Sequence, residues 1–470
     1  MFEVGEKMYA LKQKWLIIIL LDCLFIMLSL FKPATLMMVL VLLVWSNGLI
    51  YSLLDLEKRG AMCAFLISFF LILIGRETLE IFGLHEVELK YSIEINRFAE
   101  SLLLISLLAI YMGFLLAKHL TFDGRCEIEN NYNSQKYVSV RLVSRILFFL
   151  TFAFNIFTVL DIVLFVVRHG YITYYTSYVS GVPYLVKKIG DMCLICFWIF
   201  LATMPEKKEV FKISVFYILY LLLTLGTGKR FPFVAGILTL FVYLIARNRV
   251  NSGGQLWIRQ RTIVILVLLA PLLMVALYII GKTRVDSVIG SFRLDKIISN
   301  FLYGQGVSVN VIKRAQVYKD SIPQDKSYLF GSTYEAISNN IVFRLLGAKQ
   351  YSGNTIDHAL NGYSFQHAIS YAVMGEYYVA GHGLGSCYIA EAFHDLGYAG
   401  VVIVNLIYGV LFCKAFDLKR HGIWGTAIII SMLYSLLLAP RGSADGFIID
   451  LVDLTTWGTI LIVGIISHAL

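Results

Sequence analysis

Four basic side chains at the ends of apolar runs are the residues best placed for chemistry. They are Lys229 and Arg230 in the turn TGTGKRF, Arg284 just beyond a long apolar stretch, and Arg441 in APRGSADGF. Charge this close to hydrocarbon is costly unless solvated or paired, which marks such residues as functional. A guanidinium fork meets phosphate oxygens bidentately, and the amides of Gly226 and Gly228 are expected to add backbone donors. The combination suits a lipid-linked diphosphate, whose head group lies at the membrane interface. The simpler reading, strongest for Lys229, is a cation whose stem lies in apolar surroundings while its head reaches water.

Acid and base candidates accompany the cations. Glu391 and His394 stand three residues apart and share one helix face. Glu376, Asp395, Asp445 and Asp450 join them, as do Asp357, His358 and His367 farther upstream. In a sparsely hydrated cavity a carboxyl pKa rises towards what a general base at neutral pH requires. Each of these residues also has a structural alternative as a hydrogen-bonded helix-packing group, and Asp445 can pair with Arg441 four residues away. The histidines lack metal-ligand spacing and no carboxylate cluster joins them, so neither a metal nor another cofactor is expected. The TGTGKR run has Leu223 where a P-loop needs glycine and Arg230 where it needs Ser or Thr. Gly381, Gly383 and Gly385 are wrongly spaced for a dinucleotide turn, and no nucleic-acid partner is expected either.

These residues depend on elements built for a bilayer. The chain has 470 residues, a mean hydropathy of +0.75, 58% hydrophobic and 15% charged residues, so a soluble fold would leave far too much apolar surface in water. Runs of about 20 apolar residues recur, each long enough to cross roughly 30 Å of hydrocarbon as a helix. Twelve spans are expected, near 15–31, 35–54, 61–74, 98–117, 142–167, 185–204, 210–225, 231–246, 262–280, 396–411, 423–438 and 447–466. With the N-terminus inside, half of the 40 Lys and Arg fall on short cytoplasmic segments and a quarter on short external ones. The bias predicts that both termini are cytoplasmic. The first span lacks a small-residue cleavage site and is expected to be retained. Seven scattered cysteines, mostly in or beside helices, do not form a disulfide framework, and Cys193-x-x-Cys196 reads as a pair of small apolar helix residues.

Three parts follow. Residues 1–281 hold nine membrane helices, residues 282–365 form one large external loop, and residues 366–470 hold re-entrant or interfacial segments and the last three helices. Glycines and Pro323 divide the loop into short helices, chiefly Val307–Tyr318 and Ser332–Leu346, which fold back as a lid or cavity wall. Beyond it, Ala368–Tyr378 is too short to span, and Tyr388–His394 is a turn or two of helix joined through Gly397 to a full span.

The chain resembles the Wzy-type oligosaccharide repeat-unit polymerases, which make O-antigen and related surface polysaccharides. The resemblance rests on the multi-span plan with one large loop, the Gly-Thr-Gly-Lys229-Arg230 turn, the run GLGSCYIAEAFHDLGYAG from Gly383 to Gly400, and Arg441-Gly-x-x-Asp445 before the last span. It implies a GT-C-like glycosyltransferase at the outer face of the bacterial cytoplasmic membrane, joining repeat units carried on undecaprenyl diphosphate. Arg230, Arg441 and Arg284 would hold the leaving diphosphate, and Glu391 or His394 would orient or deprotonate the acceptor hydroxyl. A flippase and a chain-length regulator are the partners it implies. A transporter of lipid-linked oligosaccharide, or an O-antigen ligase, is the alternative. A transporter is expected to show paired halves, and no earlier insertion matches the long loop.

Overall fold

The computed structural model describes residues 18–25, 27, 36–119, 132–250, 256–282, 296–414, 418 and 421–470. Arg284, the start of the long hydrophilic segment and both ends of the first expected span lie outside the described residues. The described residues are helical, without strands, as hydrocarbon demands of a chain that must satisfy its backbone internally. The helices used below are α1 (Leu36–Leu53), α2 (Leu56–Ile81), α3 (Ile93–His119), α4 (Gln135–His169), α5 (Tyr184–Ala202), α6 (Lys207–Leu225), α7 (Phe231–Val250), α8 (Gln260–Lys282), α9 (Ile297–Gln305), α10 (Val309–Val317), α11 (Gly331–Ser338), α12 (Ile356–Asn361), α13 (Phe365–Met374), α14 (Tyr388–Lys414), α15 (Ile423–Leu438), α16 (Gly446–Val452) and α17 (Leu454–His468).

Eight of the described helices are long and apolar enough to cross a membrane, or nine if the bent pair α16–α17 counts as one span. The protein is a polytopic membrane protein. Helices α5 and α6 coincide with two further expected spans but carry charge, Lys187, Lys188 and Asp191 in one and Lys207, Lys208, Glu209 and Lys212 in the other. The segment Gly75–Ile81, left out of the third expected span, continues α2 through a π-helical turn at Phe70–Ile74 and buries Arg76 and Glu77.

Two apolar cores result. One joins α1, α2, α3, α14 and the end of α15, and takes in Val309, Val311 and Ile312 of α10. The other joins α4, α5, α6 and α7 with the start of α15 and with Val463 of α17. Helices α3 and α14 approach backbone to backbone. A Cβ on Gly113 would strike the Leu406 carbonyl, and one on Gly409 would strike the Ile110 carbonyl, so these two glycines permit the close crossing of α3 and α14.

The hydrophilic segment is short helices, as its punctuation predicts. The helix expected over Val307–Tyr318 is α10, and that expected over Ser332–Leu346 is α11 followed by Ile341–Leu345, broken at Asn340 where a side-chain cap starts the second piece. Within this segment α10 packs on α3 and α14 inside the bundle.

Candidate active site

Helix α14 is the frame of the site. Gly397, at φ 58° and ψ −147°, breaks it into a short N-terminal piece carrying Glu391, His394 and Asp395 and a longer span beyond. Only glycine adopts this conformation without strain. The break turns the first three helical turns away from the axis of the span and towards the segments that follow α10 and α15.

Glu391 is 1% exposed and both of its carboxylate oxygens are engaged. Ser386 Oγ donates to Oε1 at 2.6 Å, and the Ala444 N–H donates to Oε2 at 2.8 Å. Tyr408 Oη donates to the Ala444 carbonyl at 2.7 Å. These bonds fix the turn that follows Arg441. Asp445 extends the same attachment by accepting the Thr333 N–H of α11 at 2.7 Å, while its Oδ1 is buried without a hydrogen-bond partner. Burial raises the Asp445 carboxyl above its ordinary value. Arg441 itself closes a 3₁₀ turn at the end of α15 and its side chain is exposed.

His394 and Asp395 form a couple. Asp395 Oδ1 lies 3.1 Å from His394 Nδ1, so a carboxylate there accepts a hydrogen bond from Nδ1–H and leaves Nε2 as the unprotonated nitrogen of the neutral ring. Asp395 Oδ2 accepts from Ser327 Oγ at 2.6 Å and from the Tyr328 and Leu329 amides at 2.7 and 2.8 Å, which pins the strap below α10 to α14. Tyr328 and Phe365 flank the imidazole, with ring centroids at 5.0 and 5.6 Å. Gln324 Nε2 is 3.0 Å from His394 Nε2, and the same amide nitrogen lies 2.9 Å from both the Lys319 and Ile322 carbonyls. Two amide hydrogens therefore face three acceptors, and the imidazole nitrogen is under-supplied with donors. An incoming hydroxyl would complete it.

The Lys229–Arg230 turn lies at the start of α7. Arg230 Nη1 donates to the Leu277 carbonyl of α8 at 3.3 Å. Lys229 Nζ stands 5.6 and 5.8 Å above the rings of Tyr174 and Tyr175. The glycine amides expected to serve as anion donors are committed differently: the Gly226 N–H bonds the Leu223 carbonyl and the Gly228 N–H the Leu225 carbonyl, both at 3.0 Å. The last carbonyls of α6 need those donors, so Gly228 caps a helix and its amide is not aimed at a ligand. Arg230 opens α7 and Arg441 closes α15, and these two helices pack against each other.

His358 and His367 come together in a second imidazole cluster. Their rings stack at 3.7 Å; His358 Nε2 is 3.2 Å from Glu335 Oε2, and its Nδ1 donates to the Gly353 carbonyl at 2.9 Å. His367 Nδ1 lies 2.8 Å from Tyr378 Oη, whose proton goes to the Thr355 carbonyl, so His367 donates at Nδ1. Glu335 Oε1 accepts the Tyr363 and Ser364 amides and ties α11 to α13. Burial, with His358 beside it, pushes the His367 imidazole down from 6.5 to about 4. Because the folded value is depressed, the unfolded chain takes up the proton first as pH falls. The cluster is expected to lose stability between about pH 6.5 and about pH 4 and to keep it above that window. Faster amide exchange across 353–378 at pH 5 than at pH 7 (after correction for intrinsic rates), abolished in His367→Phe, is the expected result. An unchanged pH dependence in that variant would remove His367 as its source.

The O-antigen polysaccharide polymerase Wzy family model matches residues 14–470, essentially the whole length. The chain belongs to the Wzy family. No curated protein and no solved structure matches it. Membership makes a polymerase activity on a lipid-linked oligosaccharide the frame for these residues. By sequence Asp395 is one acid among several; in the structure four hydrogen bonds, with His394, Ser327 and the Tyr328 and Leu329 amides, set it apart. Gln324 was missed, because nothing in its neighbourhood of sequence points to His394 seventy residues away. Also missed were Glu77, Glu100 and Lys313, each buried in an apolar setting. Their signal was available, since ionisable residues within apolar runs are rare. Among the described residues no group of His, Cys, Asp and Glu is arranged to hold a metal ion.

Proposed function

We propose that this Wzy protein polymerises repeat units carried on undecaprenyl diphosphate into surface polysaccharide, at the outer face of the bacterial cytoplasmic membrane, on a GT-C-like bundle with both termini inside. In the reaction an acceptor hydroxyl oxygen attacks the anomeric carbon of the donor glycan, and the bond from that carbon to the diphosphate oxygen breaks. The hydroxyl proton passes to His394 Nε2, and undecaprenyl diphosphate leaves with the electron pair. Arg230 and Arg441 stabilise the charge that develops on it, with Lys229 and Arg284 as further cations. Asp395 holds the imidazole in the tautomer that presents Nε2. Glu391 and Asp445 act on the arginine turn, holding the backbone after Arg441 in place.

The observation that carries this reading is the His394–Asp395 couple, with its basic nitrogen under-supplied with donors, in a chain of the polymerase family. Arg230 opens α7 and Arg441 closes α15, and the packing of these two helices supports a shared diphosphate site.

The deciding experiment reconstitutes the purified protein with a defined lipid-linked repeat unit. A ladder of longer glycans with released undecaprenyl diphosphate is expected. No ladder, together with movement of the substrate across the bilayer, would replace the polymerase with a transporter. In the same assay Arg441→Ala is expected to lower the rate by about 10²–10³-fold, the usual loss for removing one donor to a developing oxyanion. Full activity in that variant would take Arg441 out of the mechanism.

A further inference from the structure

The beginning of α3 and the α9–α10 corner bury a group of polar atoms that find no partner among the described residues. They are Tyr91 Oη, Asn96 Oδ1, Glu100 Oε2, Gln305 Nε2, Ser308 Oγ and Asn310 Nδ2. Glu100, Gln305, Ser308 and Asn310 are all at least nine-tenths buried. Asn96 and Glu100 are one helical turn apart on α3, Asn310 and Lys313 one turn apart on α10, and the two helices pack together. Lys313 Nζ reaches Glu77 Oε1 at 2.6 Å and lies 5.2 Å from the Tyr91 ring, and Glu100 feels the charge of both Glu77 and Lys313.

An unsatisfied buried donor or acceptor is costly in a marginally stable protein, and these six are carried by the start of α3 and by the α9–α10 corner, whose helices α3 and α10 pack together. The set mixes acceptors (Asn96, Glu100), donors (Gln305, Asn310) and hydroxyls that do both (Tyr91, Ser308). Hydroxyl groups match such a mixture, because each gives one hydrogen bond and takes others. A carboxylate and an amide beside an aromatic ring suit a sugar, with its polar rim and its apolar face.

The segment Gly83–Tyr91 leads into the start of α3, and most of it is exposed. It is held down at few points: the His85 ring stacks on Tyr303 at 3.8 Å, the Glu88 N–H donates to Tyr303 Oη at 2.9 Å, and Glu88 Oε2 lies 3.7 Å from Arg76 Nη2. The π-helical turn just before Arg76 is the kind of helix irregularity that accumulates at functional sites.

We propose that this polar group is a second glycan subsite, which binds a sugar residue of the repeat unit through its hydroxyls once the 83–91 segment lifts. The proposal rests on the reading of the protein as a glycan polymerase and adds a second place where the chain is gripped.

The test uses the full protein in nanodiscs and, as probe, the lipid-free repeat-unit oligosaccharide released from the surface polysaccharide of the producing organism, titrated calorimetrically. Glu100→Gln and Asn310→Ala are expected each to weaken binding about tenfold, the loss of one strong hydrogen bond, with the unfolding temperature held. Glu88→Ala, an exposed change that cannot empty the core, is expected to raise the association rate several-fold. Binding within twofold of the parent in both buried variants, an unchanged association rate in Glu88→Ala, or a polymerising parent that does not bind the probe would each show a merely hydrated ion-pair cluster and overturn the subsite. Parent protein that binds the oligosaccharide but yields no ladder would instead overturn the polymerase reading and leave the subsite standing.

Discussion

His394→Ala is expected to lower polymerisation by about 10²–10⁴-fold, the range for losing a positioned general base. The imidazole hands one nitrogen to Asp395 and presents the other to a donor that must serve three acceptors at once. An acceptor hydroxyl that displaced Gln324 would give the nitrogen a full hydrogen bond and place its proton for transfer. Asp395→Asn is expected to lose most of the same activity, since an amide reverses the tautomer preference at Nδ1 while keeping an oxygen for the strap. Initial rates with the reconstituted protein across pH 5–9 check this, because loss of the base removes the acid limb of the profile as well as the rate. Activity in His394→Ala within threefold of the parent would transfer the base to another residue, with the His358–Glu335 pair as the next to test.

The second large effect is on stability. Lys313 and Glu77 are 1% and 2% exposed, and the pair joins the hydrophilic segment to α2 deep in the bundle. Lys313→Met leaves Glu77 as an uncompensated buried charge and is expected to cost about 3–5 kcal/mol. Adding Glu77→Leu to the same protein removes the stranded charge, and the double variant is expected to recover most of that loss. Thermal unfolding of the single and double variants in detergent gives the comparison. A double variant no more stable than Lys313→Met would mean that the pair matters through its shape and not through its charge.

Much of the architecture could be read without coordinates. Apolar runs of bilayer length gave the membrane helices, and the glycines and proline in the hydrophilic segment gave its short helices, because both signals are local. The break at Gly397 was also legible, since a glycine between a short amphipathic piece and a full span needs no distant partner to be understood. The spans misjudged in extent show where local hydropathy fails. It ended the third span at Ile74, although Arg76 and Glu77 continue the same helix with partners from α10 and from Tyr303. Charge looks like a helix end when its partner is more than two hundred residues away.

The site divides along the same line. The residue types, the cations next to hydrocarbon and the Glu391–His394 spacing are properties of sequence, and they made an anionic, lipid-linked substrate the expectation for this chain. Composition likewise determined an all-helical membrane protein. The choice of His394 over Glu391 as the proposed base rests on tertiary structure alone: Glu391 has both oxygens filled by Ser386 and Ala444, whereas His394 shares a donor with two carbonyls. The Gly228 amide likewise proved to serve a helix end. The physical reason is that a side chain's chemistry depends on the bonds it has left after folding, and those are set by donors and acceptors that come from remote parts of the chain and leave no mark in its neighbourhood of sequence.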